Sequence, residues 1–381
     1  MSPPPELRNP KSKPQSNFNP QMPKGLQGKS SSGSLGTIGE FEFIHKIQER
    51  FGFVQSPIIH GIGDDAAVLR PQAGDDLLVS TDLLTEDIHF TLNLHSFKEI
   101  GYRAAIANLS DIAAMGGVPQ ALLIGLAIPP QLSKQHLIEL YQGLMKPCQK
   151  HSVALIGGDT SKSNSGLFLS ITVLGKIKHG HSLTRSGAKV TDHIYVTGTL
   201  GDSAAGLQLL KHFQESRPGI KKNKSEALLI KRHLHPIPRL DVGQQLSRNK
   251  LAHAAIDLSD GLSGDLRHVC QASQVGAELW EEHIPISPEC QAFAYDHGKL
   301  PLDMALGGGE DFELLFTAPV RKRQRVEAIS KSCKVPISCI GQIHSKEFGI
   351  RLKLADGSSR KVIVNSFQHF TNITSLDRED L

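Results

Sequence analysis

With 381 residues, 39% hydrophobic and 21% charged, the chain has the length for two ordinary α/β domains and the composition of a globular protein. The net charge of +4 does not mark a nucleic-acid binder: residues 1–36 hold Arg8, Lys11, Lys13, Lys24 and Lys29 against Glu6 alone, so the remainder is balanced and no basic face is implied. No stretch reaches the ~20 apolar residues that span a bilayer, and the opening MSPPPELRNPKSK lacks the apolar run of a secretory signal.

Residues 1–36 are rich in Pro, Ser, Lys, Asn and Gly with little to bury, and read as a disordered tail. Order is predicted from about Gly39, where EFEFIHKIQERF (40–51) has helical apolar spacing. Strands follow at 77–80, 121–128, 154–156 and 167–174, alternating with helices at 97–115 and 133–151. A polar, glycine-containing turn near Arg185–Lys189 then marks a domain boundary. Beyond it the pattern predicts strands at 193–196, 254–257, 277–280, 312–316 and 337–343. Helices are predicted at 202–212, 225–233, 262–273 and near 320–331. Mixed strands and helices in two similar blocks give an α/β (α+β) fold of two domains, 37–186 and 187–381. The cysteines (Cys148, Cys270, Cys290, Cys333, Cys339) are odd in number and contain no CxxC pair. That argues against a disulfide framework or zinc site and fits a reducing cytoplasm.

Two glycine motifs mislead. The Gly28-Lys29-Ser30 sequence ends like a P-loop, but Pro23 stands where its first glycine belongs, and no strand precedes it. The run Gly61-Ile62-Gly63-Asp64-Asp65-Ala66 matches a dinucleotide fingerprint. Its two aspartates, however, would repel a pyrophosphate unless a cation lay between them.

A different pattern recurs, in which a short apolar run meets small Gly, Ser or Thr residues and one or two carboxylates. It appears as GIGDDAAVL (Asp64, Asp65), LLVSTD (Ser80, Thr81, Asp82), IANLSD (Asp111), ALIGGDTS (Asp159), AAIDLSDGL (Asp257, Ser259, Asp260) and ALGGGEDFEL (Glu310, Asp311). Taken singly, each also reads as a helix cap or turn. Six together point to carboxylates carried inward without Lys or Arg partners, which implies bound cations. Oxygen ligands without His/Cys pairs suit several Mg²⁺ ions. Such ions in a glycine-rich cleft hold polyphosphate, so the pattern points to phosphoryl transfer from ATP by positioning and charge neutralisation. No convincing nucleophilic Ser–His pair accompanies it.

These segments, in this order, resemble the thiamine-monophosphate kinases, which share a superfamily with aminoimidazole ribonucleotide synthetase and selenophosphate synthetase. The resemblance runs from about Gly39 to Phe370 and is carried by GEFEFI, GIGDDAAVL, STDLLTEDIHF, NLSDIAAMGG, LIGGDTSKS, TRSGAK, VTGTLGDSAAGL, IDLSDGLSGDL, GGGEDFELLFT and CIGQI. It implies two domains of the aminoimidazole ribonucleotide synthetase type and a homodimer built through the N-terminal halves. It also implies direct in-line transfer of the ATP γ-phosphoryl to thiamine monophosphate, giving thiamine diphosphate, without a phosphoenzyme.

Carried onto this sequence, the resemblance makes Asp65, Ser80, Thr81, Asp82, Asp111, Asp159, Asp257 and Asp260 metal ligands. Gly158, Asp159, Arg185 and Ser259 become ATP contacts, while His89, Glu310 and Phe367 become contacts to thiamine monophosphate. No nucleic-acid or membrane partner is expected. Asp87 departs from the pattern, standing where the family more often has glycine, and Ser366-Phe367 replaces a more usual Gly-aromatic pair. The alternatives are a sister ATP-dependent enzyme of the superfamily or a non-catalytic nucleotide- or thiamine-binding regulator. Residues 1–60 contain no cysteine, which counts against a selenophosphate synthetase.

Overall fold

The computed structural model describes residues 40–52, 57–60, 68–215 and 222–363. The described elements begin with helix α1 (Glu40–Phe51) and the short strands β1 (Ile58–His60) and β2 (Val68–Leu69). The first half continues through β3 (Asp75–Thr85), α2 (Phe97–Ala114), β4 (Val118–Ile128), α3 (Lys134–Lys150), β5 (Ala154–Lys162) and β6 (Phe168–Lys178). Its sheet has the order β3-β6-β4-β5, with only the β4–β5 pair parallel. One face of that sheet packs on α2 and α3. Accordingly β6 alternates strictly, with Leu169, Ile171, Val173 and Ile177 buried and the residues between them half-exposed.

The second half runs β7 (His193–Thr197), α4 (Asp202–Glu215), α5 (Lys224–Leu234), α6 (Leu240–Arg248), β8 (Ala254–Leu258), α7 (Leu262–Ser273) and β9 (Gly276–Trp280). It closes with α8 (Pro288–Asp296), α9 (Pro301–Gly307), β10 (Glu313–Ala318), α10 (Arg323–Cys333), β11 (Ile337–His344), β12 (Ile350–Lys353) and β13 (Ser359–Lys361). The sheet order is β13-β12-β9-β11-β7-β10-β8. Strands β8 and β10 are buried along their whole length, because helices and the first half cover both faces.

Helix α2 ties the halves together. Its start is fixed by a capping box, with the Ser96 hydroxyl accepting from the Glu99 N–H while the Glu99 carboxylate accepts from the Ser96 N–H. Small residues then let it be buried almost all round, with Ala104, Ala105, Leu109 and Ala113 fully enclosed. It packs on α3, on β3 and β6 of the first sheet, and on α6 and β8 of the second half. The C-terminal turn of α2 therefore lies between the two sheets, and Asp111 sits on that turn. The tail, the Gly61–Ala66 motif and Phe367 lie outside the described residues.

Candidate active site

The site is a cleft of about 700 Å³, a size that suits small-molecule ligands. It is walled by β3 with the loop that follows, α2, the turn after β8, the glycine loop before β10, and residues of α4 and α5. Strand alternation decides what β3 contributes. Ser80, Asp82 and Leu84 turn inward, while Leu77, Val79, Thr81 and Leu83 turn outward. The Ser80 hydroxyl donates to Asp111 Oδ2 at 2.5 Å. Thr81 lies on the other face, its hydroxyl donating to the Ile171 carbonyl at 3.0 Å. The strand runs through the Ser-Thr-Asp motif rather than stopping before it, so adjacent residues face opposite ways and Thr81 is not brought to the cluster.

Strands β8 and β10 pair antiparallel, with Leu258 opposite Glu313, which sets the turn after β8 beside the glycine loop. The Glu310 N–H donates to the Ser259 carbonyl and the Phe312 N–H to the Leu258 carbonyl, at 2.8 and 2.9 Å. A Cβ on Gly309 would stand 2.6 Å from the Ser259 carbonyl oxygen, so only glycine fits between the two loops. Asp257, Ser259, Asp260 and Glu310 thereby line the cleft with Asp82 and Asp111. Asp265, which sequence reasoning passed over, accepts from the N–H groups of Asp260 and Gly261 and braces their turn from behind.

The acidic wall is electrostatically strained. Burial, then the neighbouring Asp111, pushes the Asp82 carboxyl up to about 7. Burial, then Asp111 and Asp82, pushes Asp257 up to about 7. Asp111 is also raised by burial, with the Ser80 hydroxyl and the Arg185 guanidinium working in the opposite direction. Burial and close approach leave these carboxyls short of counter-charge, a deficit that a bound cation would fill. The donors are all oxygen, which fits Mg²⁺. Among the described residues no three His, Cys, Asp or Glu side chains already enclose an ion by themselves.

Facing the cleft, the buried Arg103 donates to the partly exposed Glu310 carboxylate and to the carbonyl of His89 at 3.3 Å. His89 Nδ1 accepts from the Thr85 N–H at 3.1 Å, which leaves the ring proton on Nε2. Asp87, two residues before it, has φ +65°. This is the left-handed region that glycine enters freely and aspartate tolerates, so the family's glycine and this aspartate serve one loop shape. Asp311, beside Glu310, turns away from the acidic wall. It accepts from the N–H groups of Gly201 and Ser203 at 2.7 and 3.0 Å, tying the glycine loop to the first turn of α4.

Three expected contacts are placed apart from this cleft. Arg185 is exposed on the linker between the sheets, near enough for its charge to act on Asp111. Gly158 and Asp159 lie on β5. In register, Asp82 faces Ile171, Ile171 faces Ile124, and Ile124 faces Gly158. Three strand spacings separate them, roughly 14 Å. Gly158 has a packing requirement of its own, since a Cβ there would stand 2.1 Å from the Ile124 carbonyl oxygen. Arg103, His95, His233 and Ser203 line the cleft and were not singled out by the sequence. Lone polar residues inside Ala-rich or amphipathic helices give no local sign of converging.

A two-part α/β chain whose halves enclose an acidic, glycine-rich cleft defines a class. The sequence matches "AIR synthase related protein, N-terminal domain" over residues 63–177 and "AIR synthase related protein, C-terminal domain" over residues 189–353, and the chain belongs to this family. Within it, the chain belongs with the thiamine-monophosphate kinases. It is 36% identical to that of Bacillus subtilis over 339 residues, covering 87% of this chain and 100% of the relative. It is 37% identical to that of Escherichia coli strain K12 over 332 residues, covering 87% and 98%. The thiamine-monophosphate kinase of Stenotrophomonas maltophilia superposes with TM-score 0.72 at 34% identity, covering 83% of this chain and 95% of that one. A solved structure of AaThiL complexed with AMPPCP and TMP superposes with TM-score 0.68 at 33% identity, covering 90% and 100%. Hydrogenase maturation protein HypE, at 18% identity and TM-score 0.67, shares the fold. Among the described residues no helix is long and apolar enough to cross a membrane.

Proposed function

We propose that this chain transfers the γ-phosphoryl group of ATP to thiamine monophosphate, giving thiamine diphosphate and ADP. The observation that carries the reading is the cleft itself, in a chain whose relatives are thiamine-monophosphate kinases. It holds mutually repelling carboxylates together with a Glu310 carboxylate anchored by the buried Arg103.

Asp82, Asp111, Asp257 and Asp260, with the Ser80 hydroxyl, are the groups that would hold Mg²⁺, and Asp65 joins them by resemblance. Bound Mg²⁺ would screen the repulsion between two phosphate-bearing substrates and stabilise charge on the transferring group. The protein's own part is positioning. Ser259 and the backbone of the adjoining turn would line the nucleotide phosphates, and Arg185 would offer them a planar pair of donors. Glu310 and His89 would orient the acceptor, with Phe367 stacking on the thiamine. No protein nucleophile is needed, so transfer is direct and in line.

We further read the chain as a homodimer acting in the cytoplasm. Leu77, Val79 and Leu83 are 53%, 59% and 58% exposed on the outer face of β3, and the partly buried Leu123 and Leu174 lie on the same side of the sheet. Exposed apolar side chains gathered on one sheet face suit a second copy. Asp159 and Gly158, too far across the sheet to share an ion with Asp82, would then serve a nucleotide held near that interface. Five unpaired cysteines fit a reducing compartment.

Incubation of the purified chain with ATP, Mg²⁺ and thiamine monophosphate, with free thiamine as control acceptor, tests the reading. Thiamine diphosphate formed from the monophosphate alone is the expected result. Absence of product, or equal use of free thiamine, would move the activity to another member of the family.

A further inference from the structure

Five polar side chains from both halves of the chain meet in the floor of the cleft. Arg103 (α2), His95 (the turn before α2), Ser203 (α4) and His233 (α5) are all at least 96% buried, and Glu310 reaches them from the glycine loop. His95 Nε2 lies 3.0 Å from Arg103 Nη1 and 3.1 Å from His233 Nε2. His233 Nδ1 lies 3.0 Å from the Ser203 hydroxyl and 3.7 Å from Glu310 Oε2. Arg103 Nη2 completes the ring of contacts by donating to Glu310.

The protons in this network can be assigned from the chemistry of its members. A guanidinium only donates, so His95 Nε2 must accept, and its ring proton sits on Nδ1. That proton goes to the Thr91 carbonyl at 3.1 Å. His233 can then approach the same Nε2 only as a donor, so its proton is on Nε2. Its Nδ1 is left to accept from the Ser203 hydroxyl. This pair of neutral tautomers gives both ring protons an acceptor, with the one lone pair of His95 Nε2 shared between Arg103 and His233. The Thr91 N–H, 3.3 Å from His95 Nδ1, faces a nitrogen that already carries a proton. A second proton on either ring would set a cation against Arg103.

We propose that His95 and His233 are positioning residues for the phosphoryl acceptor: an uncharged imidazole pair that clamps Arg103 from behind and so fixes the Glu310 carboxylate in the cleft. This rests on the reading of the cleft as the site of thiamine monophosphate. The surroundings favour neutral rings. Burial, then Arg103, holds His95 down to about 4, against the opposing pull of the Thr91 carbonyl and Glu99. Burial, then Arg103, His95 and Lys211, holds His233 well below the ordinary imidazole range. Among the described residues the carboxylate paired with His233 is Glu310, and Arg103 already neutralises it.

Two measurements on the full chain test the pair. In steady-state kinetics near pH 8, His95→Phe is expected to raise KM for thiamine monophosphate about tenfold, the loss of one charge-assisted hydrogen bond, and to leave KM for ATP unchanged. His95→Gln keeps an oxygen that accepts from Arg103 and is expected to restore the wild-type value. Between about pH 8 and about pH 5.5 the wild-type KM for the acceptor should change no more than that of His95→Gln, because the imidazole pair stays neutral across this range. Equal effects on both substrates, or none, would overturn the proposal. In ¹⁵N-histidine spectra at neutral pH, with His95→Gln and His233→Gln to assign the signals, His95 should carry its proton on Nδ1 and His233 on Nε2. A charged ring or the opposite tautomers would overturn it even if His95→Phe fails to fold. Should the wild-type chain form no thiamine diphosphate, the reading of the reaction fails separately, and the spectra still decide the pair.

Discussion

At the residue scale, charge in the acidic wall is the variable that matters. Asp82→Asn keeps the shape of the side chain but removes a charge and would weaken the proposed Mg²⁺ ligand. Turnover is expected to fall by at least about 100-fold, roughly 2.7 kcal/mol of lost transition-state stabilisation, with an unchanged circular dichroism spectrum. Near-wild-type turnover at saturating Mg²⁺ would remove Asp82 from the ligand set. Asp87 gives a contrasting case, because its left-handed backbone carries strain that glycine does not. Asp87→Gly is expected to leave the melting temperature level or slightly raised, and a drop of several degrees would contradict the strain argument. The acids were legible because each stands at the end of an apolar run beside small residues. Their cationic and imidazole counterparts were not, since Arg103 is one polar residue in a helix and meets Glu310 from 207 positions away.

At the element scale, close approach of helices explains much of how the first half holds α2 in place. A Cβ on Gly143 would stand 1.9 Å from the Lys98 carbonyl oxygen, and one on Gly101 would stand 2.0 Å from that of Leu140. Each glycine lets the facing backbone of α2 or α3 into contact. Gly143→Ala is expected to cost about 1–3 kcal/mol, read as a lower denaturation midpoint with unchanged m-value. A neutral outcome would mean that the two helices are free to move apart. Periodicity made α1, α2, α3, α4, α5 and α7 legible, because each runs for three turns or more. The shorter α6, α8 and α9 escaped, although Pro288 and Pro301 stand at the first turns of the latter two as helix-start signals. Strand β3 was read too short for a related reason. Its polar Ser-Thr-Asp end looks like a loop, yet eleven consecutive pairings with β6 hold it straight.

At the scale of the whole molecule, two groups of buried ionisable residues act on stability in opposite directions. The carboxyls of Asp82 and Asp257 are raised from 3.8 to about 7. The unfolded chain gives up these protons first, and stability without metal falls as pH climbs from about 4 toward 7. On the proposed reading, Mg²⁺ held by these carboxylates would relieve that penalty. It is therefore expected to raise the melting temperature by roughly 5 °C near pH 8 and by much less near pH 5.5, where protons compete for the ligands. An equal rise at both values would mean that the metal binds elsewhere. His95 and His233 have the opposite sign, since both are depressed below 6.5. Their neutral burial stabilises the fold in full above about 6.5, and that contribution is lost as pH falls toward 4. The two-part architecture was legible from the repeated strand–helix style. The cleft's composition was legible only as a list of acids, because which of them converge is decided by sheet register and by the placement of α2.

The central claim is that the acidic cleft passes a phosphoryl group directly from ATP to thiamine monophosphate. A single-turnover rapid-quench experiment with γ-³²P-labelled ATP, Mg²⁺ and excess enzyme tests it most directly. Label should move from ATP into thiamine diphosphate with none on the protein at any time point, and the transfer should vanish in Asp82→Asn. Label that passes through the protein, or that never reaches thiamine diphosphate, would contradict the account.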